Sequence, residues 1–137
     1  MLHIIGYHNP DTMGVLAEDC EPFTYLTRKK SVSDEWLGGV MWIMTSEGKG
    51  KKRKYLLRCW YTVDDIVDAE DEGFSWLFTG KVGGVFEPMR EIQHLPWFPP
   101  FLHWMGNFGR GVSELTLQNV IDDLSRLARE AGCPIPS

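Results

Sequence analysis

Two apolar runs on either side of a short basic turn constrain the fold of this chain most. Residues 40–44 form a continuous apolar run of strand length, and residues 54–63 form a second run rich in aromatic and aliphatic side chains. The Ser46-Glu47-Gly48-Lys49-Gly50 segment between them is typical of a turn. The pattern predicts a long β-hairpin with a basic tip. On a regular second strand, one face carries Tyr55, Leu57, Cys59 and Tyr61, and the other carries Leu56, Arg58, Trp60 and Thr62.

Other segments predict further strands and one long helix. Strand patterns cover residues 2–7, 23–27, 74–82 and 85–92, and Pro88 indicates an edge or a bulge in the last of these. The acidic run at residues 64–72 predicts a loop or a short helical turn, and Pro100 can begin a short helix that ends at Met105.

The C-terminal region predicts an amphipathic helix over about residues 113–132. Ser113 or Thr116 can cap it, and Gly132 and Pro134 favour its end. Its apolar stripe recurs at three- and four-residue spacing and comprises Leu117, Val120, Ile121, Leu124, Leu127, Ala128 and Ala131. Together these elements predict an α+β fold in a single domain of residues 1–137. We expect a small, partly closed, mostly antiparallel β-barrel over about residues 1–112, with this helix packed against it.

Composition indicates a cytoplasmic protein outside the membrane. A chain of 137 residues is long enough to bury a core, and no apolar run approaches the roughly 20 residues that span a bilayer. Residues 1–7 have the pattern of a first strand and not of a signal peptide. Cys20, Cys59 and Cys133 are odd in number and widely spaced, which favours reduced thiols over a disulfide framework or a zinc site.

The sequence contains none of the common catalytic signatures. Phosphate-loop, dinucleotide-binding, nucleophile-elbow and HExxH patterns are absent, and the four histidines lack partners at metal-ligand spacing. The acidic run lacks the central glycine of a calcium loop. We therefore expect a binding module without cofactor, metal or catalytic activity. An enzyme that acts on small molecules is the least favoured hypothesis for a chain with this fold.

The charge distribution is uneven and favours a local contact with an anionic ligand. The net charge of −5 argues against a general DNA coat, because such proteins neutralise many phosphates with Lys and Arg. Two basic clusters nevertheless occur, at residues 28–30 and 49–54. We predict that Lys51, Lys52, Arg53 and Lys54 bind phosphates, the alternative being that they are solvated turn residues.

Six tryptophans and a glycine-rich loop suggest a pocket for a planar base. The long hairpin carries Trp42 and Ser46 on one strand and Trp60 on the other, and Asn107 and Phe108 lie in the loop at residues 106–111. We predict that these two regions meet, with aromatic faces for stacking and Asn107 as the hydrogen-bonding group. The alternative is that the aromatic residues only fill the core.

Several short motifs resemble a known family. Residues 39–43, the basic turn and residues 54–64 look like the central hairpin of PUA-like domains of the EVE, YTH and ASCH type. Phe86-Glu87-Pro88, Leu95-Pro96-Trp97-Phe98 and residues 106–111 resemble N-terminal domains of bacterial HNH-nuclease proteins of the modification-dependent restriction type. Two departures stand out: the chain has no HNH or zinc-cysteine signature, and Val40 follows Gly39 where many EVE-type domains have Gly-Asp.

The resemblance implies a nucleic-acid partner read through a modified base in an aromatic cage. Modified DNA is favoured, RNA is the alternative, and a nuclease partner stays open. A second hypothesis is a protein-interaction or assembly module, including a homodimer, that uses the proline- and aromatic-rich segment at residues 94–104.

Overall fold

The predicted hairpin lies at the centre of a five-stranded sheet in the computed structural model, which describes residues 1–70, 73–109 and 111–136. The described strands are β1 (His3–His8), β2 (Thr24–Thr27), β3 (Val40–Glu47), β4 (Lys54–Thr62), β5 (Asp65–Asp68), β6 (Trp76–Thr79), β7 (Gly83–Glu91) and β8 (Val112–Leu115). The α-helices are α1 (Pro10–Met13), α2 (Phe98–Trp104) and α3 (Gln118–Glu130), and single 3₁₀ turns cover Ala17–Asp19, Asp34–Trp36 and Gly50–Lys52.

The strands form two open sheets. The larger has the order β7-β4-β3-β1-β8, and the smaller has the order β2-β6-β5. Neighbouring strands are antiparallel except β1 and β3, which are parallel. The α+β class is confirmed, whereas the described ranges contain no closed barrel. None of the described helices has the length and apolar character needed to cross a membrane.

Two apolar clusters cover the two faces of the larger sheet. One face packs against α2 and α3, and its most buried side chains include Trp42, Met44, Leu57, Phe101 and Leu124. The opposite face packs against the smaller sheet through Ile4, Met41, Tyr61 and Phe78. Because β3 is covered on both faces, it has seven consecutive buried residues and reads as a continuous apolar run.

A β-bulge at Arg58 changes which residues of β4 share a face. Leu57 and Cys59 are consecutive in the pairing of β4 with both β3 and β7, so Arg58 is left out of both ladders. The expected shared face is therefore wrong: Leu57 packs on the helix side, and Cys59 and Tyr61 pack against the smaller sheet. The extra residue reverses the alternation at this point.

Several element boundaries also differ from the prediction. The long helix begins at Gln118 and not near residue 113, because Val112–Leu115 forms β8 and pairs with β1 at the edge of the sheet. The acidic run contains a strand, since Ile66 and Val67 in β5 pair with Phe78 and Leu77 in β6. Asp71 and Glu72 lie outside the described residues.

Candidate functional site

Tyr7, at the end of β1, connects the hairpin to the glycine-rich loop. Its hydroxyl is 2.5 Å from Oγ of Ser46, near the end of β3. Its ring stacks on Phe108, with centroids 4.3 Å apart and an interplanar angle of 11°. Two of the predicted pocket residues, Ser46 and Phe108, are thus brought together, and the residue that joins them is one that the sequence did not single out.

The glycine-rich loop holds Phe108 in an unusual backbone conformation. Gly106, Asn107 and Phe108 have φ angles of 59°, 56° and 64°. A left-handed conformation is unfavourable for Phe, so surrounding contacts must hold it in place. The ring stack with Tyr7 and a tilted contact with Tyr55, 5.7 Å away, supply such contacts. Arg110, in the same loop, lies outside the described residues.

An open cleft of about 560 Å³ lies beside this stack. It occurs where the ends of β1 and β2 meet the glycine-rich loop and the segment before β6. Its volume falls in the range of roughly 300–1,000 Å³ that is usual for small-molecule sites. The lining comprises Tyr7, Asn9, Met13, Tyr25, Leu26, Thr27, Arg28, Lys29, Phe74, Phe108, Gly109 and Gly111.

The rim of the cleft carries two cations and an aromatic ring. The Cζ atom of Arg28 lies 5.1 Å from the ring centroid of Phe74, a cation–π contact. Nζ of Lys29 donates to the carbonyl of Val112 at 3.4 Å, and both basic side chains are exposed. Arg28 and Lys29 are the charged side chains among the described lining residues, so the local charge of the cleft is positive.

The four residues predicted to bind phosphates lie at the tip of the hairpin and are exposed. Lys51 and Lys52 belong to a 3₁₀ turn, and Lys54 forms an ion pair of 3.5 Å with Glu91. Arg53 interacts with the hydroxyl of Tyr55, which raises the pKa of the Arg53 guanidinium.

The basic tip acts on the end of β1. Burial raises the pKa of Tyr7, while its hydrogen bond with Ser46 and the charge of Arg53 act in the opposite direction. The ring of Tyr55, two residues after Arg53, lies 5.7 Å from that of Phe108, so the C-terminal end of this basic cluster lies near the Tyr7–Phe108 stack.

The structure does not place the two predicted tryptophans at a ligand site. Trp42 is 0% exposed and Trp60 is 3% exposed, and they are cross-strand partners on the helix side of the larger sheet. Nε1 of Trp42 donates to Nδ1 of His3 at 2.9 Å, and Nε1 of Trp60 donates to the carbonyl of Cys133 at 2.7 Å. The N–H groups of both indoles are hydrogen-bonded within the core, and both rings are buried. Their expected role as stacking faces for a ligand is therefore corrected.

Two other sequence-based expectations also change. Asn107 is exposed but is not among the residues that line the cleft. In the segment at residues 94–104, Trp97, Phe98 and Phe101 are buried. Nε1 of Trp97 donates to Asp123 of α3 at 2.7 Å, so these three aromatic residues hold α2 against the core and are not free to anchor a partner.

Among the cleft residues that the sequence analysis missed are the aromatic residues Tyr7, Tyr25 and Phe74. The sequence shows the basic cluster at residues 28–30, but it does not show that Phe74 lies next to Arg28. Across the described residues, no group of three or more His, Cys, Asp or Glu side chains is arranged to hold a metal ion.

No protein-family model matches the chain, and a search of curated proteins found no match.

Proposed function

We propose that this protein binds single-stranded nucleic acid and holds an unpaired base in the cleft between Tyr7, Phe74 and Phe108. The observation that carries the proposal is the Arg28–Phe74 pair, which sets a cation and an aromatic ring at the rim of an open cleft. Proteins that bind single strands combine such stacking surfaces with basic residues that follow the backbone.

The composition of the cleft favours a nucleotide over an uncharged ligand. Arg28 and Lys29 are exposed at its rim and can reach phosphate oxygens, while aromatic rings line its interior. A base paired within a duplex offers only its edge in a groove, whereas an unpaired base offers a flat face for stacking. A recessed aromatic cleft therefore suits a single strand or a base turned out of a duplex.

The hairpin tip extends the proposed binding surface. Lys51, Lys52 and Arg53 are exposed, and the charge of Arg53 acts on Tyr7, so the tip can contact the backbone on one side of the bound base. The resemblance of the hairpin to PUA-like domains supports the same function and motivates the finer assignment, a reader of modified bases. Modified DNA is the favoured ligand of this finer proposal, with RNA as the alternative.

Fluorescence anisotropy with short labelled oligonucleotides tests the proposal. The arms are single-stranded DNA, single-stranded RNA, duplex DNA, and single-stranded DNA that carries one methylated base, all at about 50 mM salt, where phosphate contacts are strong. We expect single strands to bind more tightly than duplex. Binding should weaken with salt at a log–log slope of roughly −2 to −3, as for three to four phosphate contacts. Absence of binding in every arm would refute the proposal.

A further inference from the structure

A row of polar side chains crosses the helix-facing side of the larger sheet, at the end nearest the hairpin tip. Side chains alternate along β3 and β4, so Ser46 and Tyr55, which are cross-strand partners, lie on the side that packs against the helices. The hydroxyl of Tyr7, which lines the cleft, bonds to Ser46. Arg53 has an extended backbone and comes directly before β4, so the same alternation places its side chain beside that of Tyr55. The row thus connects the cleft wall with the hairpin tip.

Tyr55 is fixed between helix α2 and the glycine-rich loop. Its ring centroid lies 4.9 Å from that of Phe98 and 5.7 Å from that of Phe108. Its backbone N–H donates to Oε1 of Gln93 at 3.0 Å. The hydroxyl of Tyr55 interacts with the guanidinium of Arg53. The exposed guanidinium therefore has a partner whose ring and backbone are held in place.

Arg53 differs in this respect from the lysines of the tip. Lys54, which alternation places on the opposite face of β4, forms an ion pair of 3.5 Å with Glu91. Lys51 and Lys52 are exposed in the 3₁₀ turn. A long, exposed lysine loses rotamer freedom when it binds, whereas a guanidinium that is already oriented loses less. Arg53 is therefore the cation of the tip that is best prepared for an oriented contact.

The chemistry of this pair suits a phosphate. A guanidinium has five N–H donors, so its contact with Tyr55 leaves others for two parallel hydrogen bonds to phosphate oxygens. A phenol hydroxyl that accepts from Arg53 keeps its own proton, which it can donate to a phosphate oxygen. The negative charge of exposed Asp11 also acts on Arg53, more weakly than Tyr55 does.

We propose that Arg53 and Tyr55 together bind one phosphate of the bound strand, on the side of the base that faces the hairpin tip. This inference rests on the proposed binding of a single strand at the cleft. Phe108 connects the two sites, because its ring lines the cleft and also contacts Tyr55.

Fluorescence anisotropy with a labelled oligothymidylate tests this pair. A length of about ten nucleotides lies within the usual site sizes of single-strand-binding domains. At about 50 mM salt, Arg53→Gln should weaken binding about tenfold or more and reduce the log–log salt slope by about 0.7. Arg53→Lys keeps the charge and should keep the slope, but it should weaken binding about threefold or more because the planar fork is lost.

Tyr55→Phe removes the hydroxyl and keeps the ring between Phe98 and Phe108. It should weaken binding about threefold or more without a change in salt slope. Lys51→Gln should reduce the slope as much as Arg53→Gln does, with a smaller loss of affinity. Arg129→Gln, at an exposed arginine of α3, is the matched control and should bind as the wild type does. Melting temperatures of all variants show whether a loss of affinity comes from a loss of folding.

The outcomes separate this inference from the proposed function. Wild-type affinity in both Arg53→Lys and Tyr55→Phe would overturn the phosphate contact, even where Phe74→Leu weakens binding and so supports the cleft. A wild-type protein that binds no oligonucleotide would overturn the proposed function, and this inference with it.

Discussion

The ring of Tyr7 lies nearly parallel to that of Phe108, 4.3 Å away, while its hydroxyl bonds to Ser46 on the neighbouring strand. One side chain thus fixes the glycine-rich loop to the end of the larger sheet and forms part of the cleft wall. The loop conformation, with Phe108 at a φ angle of 64°, depends on this contact. The stack is the structural support of the proposed binding site.

The hydrogen bond between Tyr7 and Ser46 should contribute measurably to stability. Tyr7→Phe and Ser46→Ala each remove one partner, so each should lower the free energy of unfolding by about 0.5–1.5 kcal/mol. The double variant should lose less than the sum, because both changes remove the same bond. Urea denaturation of the four proteins gives the coupling energy. Strict additivity would show that the bond contributes nothing.

Trp42 should behave as a core residue. Its side chain is fully buried and its indole N–H is bonded to His3. Trp42→Ala should lower the free energy of unfolding by about 3–5 kcal/mol, as is usual for large-to-small changes in a core. Val82, which is 57% exposed, offers the control, and Val82→Ala should change stability by less than about 0.5 kcal/mol. A small effect of Trp42→Ala, measured by denaturant unfolding, would contradict the packing described here.

His3 should make stability depend on pH. Burial, with a smaller contribution from the positive N-terminus, lowers the pKa of His3 from its usual value of about 6.5. The unfolded chain therefore takes up a proton at a higher pH than the folded protein does. Stability is complete above about pH 6.5 and decreases as the pH falls towards the folded-state pKa. Unfolding at pH 7.5 and pH 5.5 should show a larger loss for the wild type than for His3→Gln. His103→Gln, at an exposed position, should retain the wild-type loss.

Strands and helices could be predicted where they follow from a local pattern of apolar residues in the sequence. The hairpin strands, the first strand and the body of α3 follow from apolar runs and helical periodicity. The bulge at Arg58 could not be predicted, because the alternation in sequence continues unchanged through it. The four residues of β8 have too little pattern to be distinguished from the start of a helix, and their pairing with β1 connects distant parts of the chain.

The site was harder to predict than the fold. Large aromatic residues serve both cores and ligand sites, and the sequence does not show that Trp42 and Trp60 face the helices. Ser46 and Phe108 both contact Tyr7, because a strand end and a permissive loop can meet, and their role in binding a base stays a prediction. Tyr7 and Phe74 were missed, since their proximity to the cleft arises only from the packing of β1 against β3 and of the smaller sheet on the larger one.

The basic tip should affect oligonucleotide binding mainly through ionic strength. Replacing both Lys51 and Lys52 with Gln should reduce the salt slope by about 1.4, since each phosphate contact contributes roughly 0.7 for single strands. Both residues are exposed, so the stability of the protein should not change by more than about 0.5 kcal/mol. Lys81→Gln, also at an exposed lysine, is the control. An unchanged slope would exclude the tip from the binding surface.

The affinity of Phe74→Leu for a single-stranded oligonucleotide tests the central claim most directly. Leucine retains an apolar side chain but offers no aromatic face for a base or for Arg28. Loss of stacking of about 1–3 kcal/mol predicts binding that is roughly ten- to a hundredfold weaker, with little change in melting temperature. Arg28→Gln should also weaken binding, and Arg129→Gln, at an exposed arginine of α3, should not. Wild-type affinity in both Phe74→Leu and Arg28→Gln would show that the cleft is not the binding site.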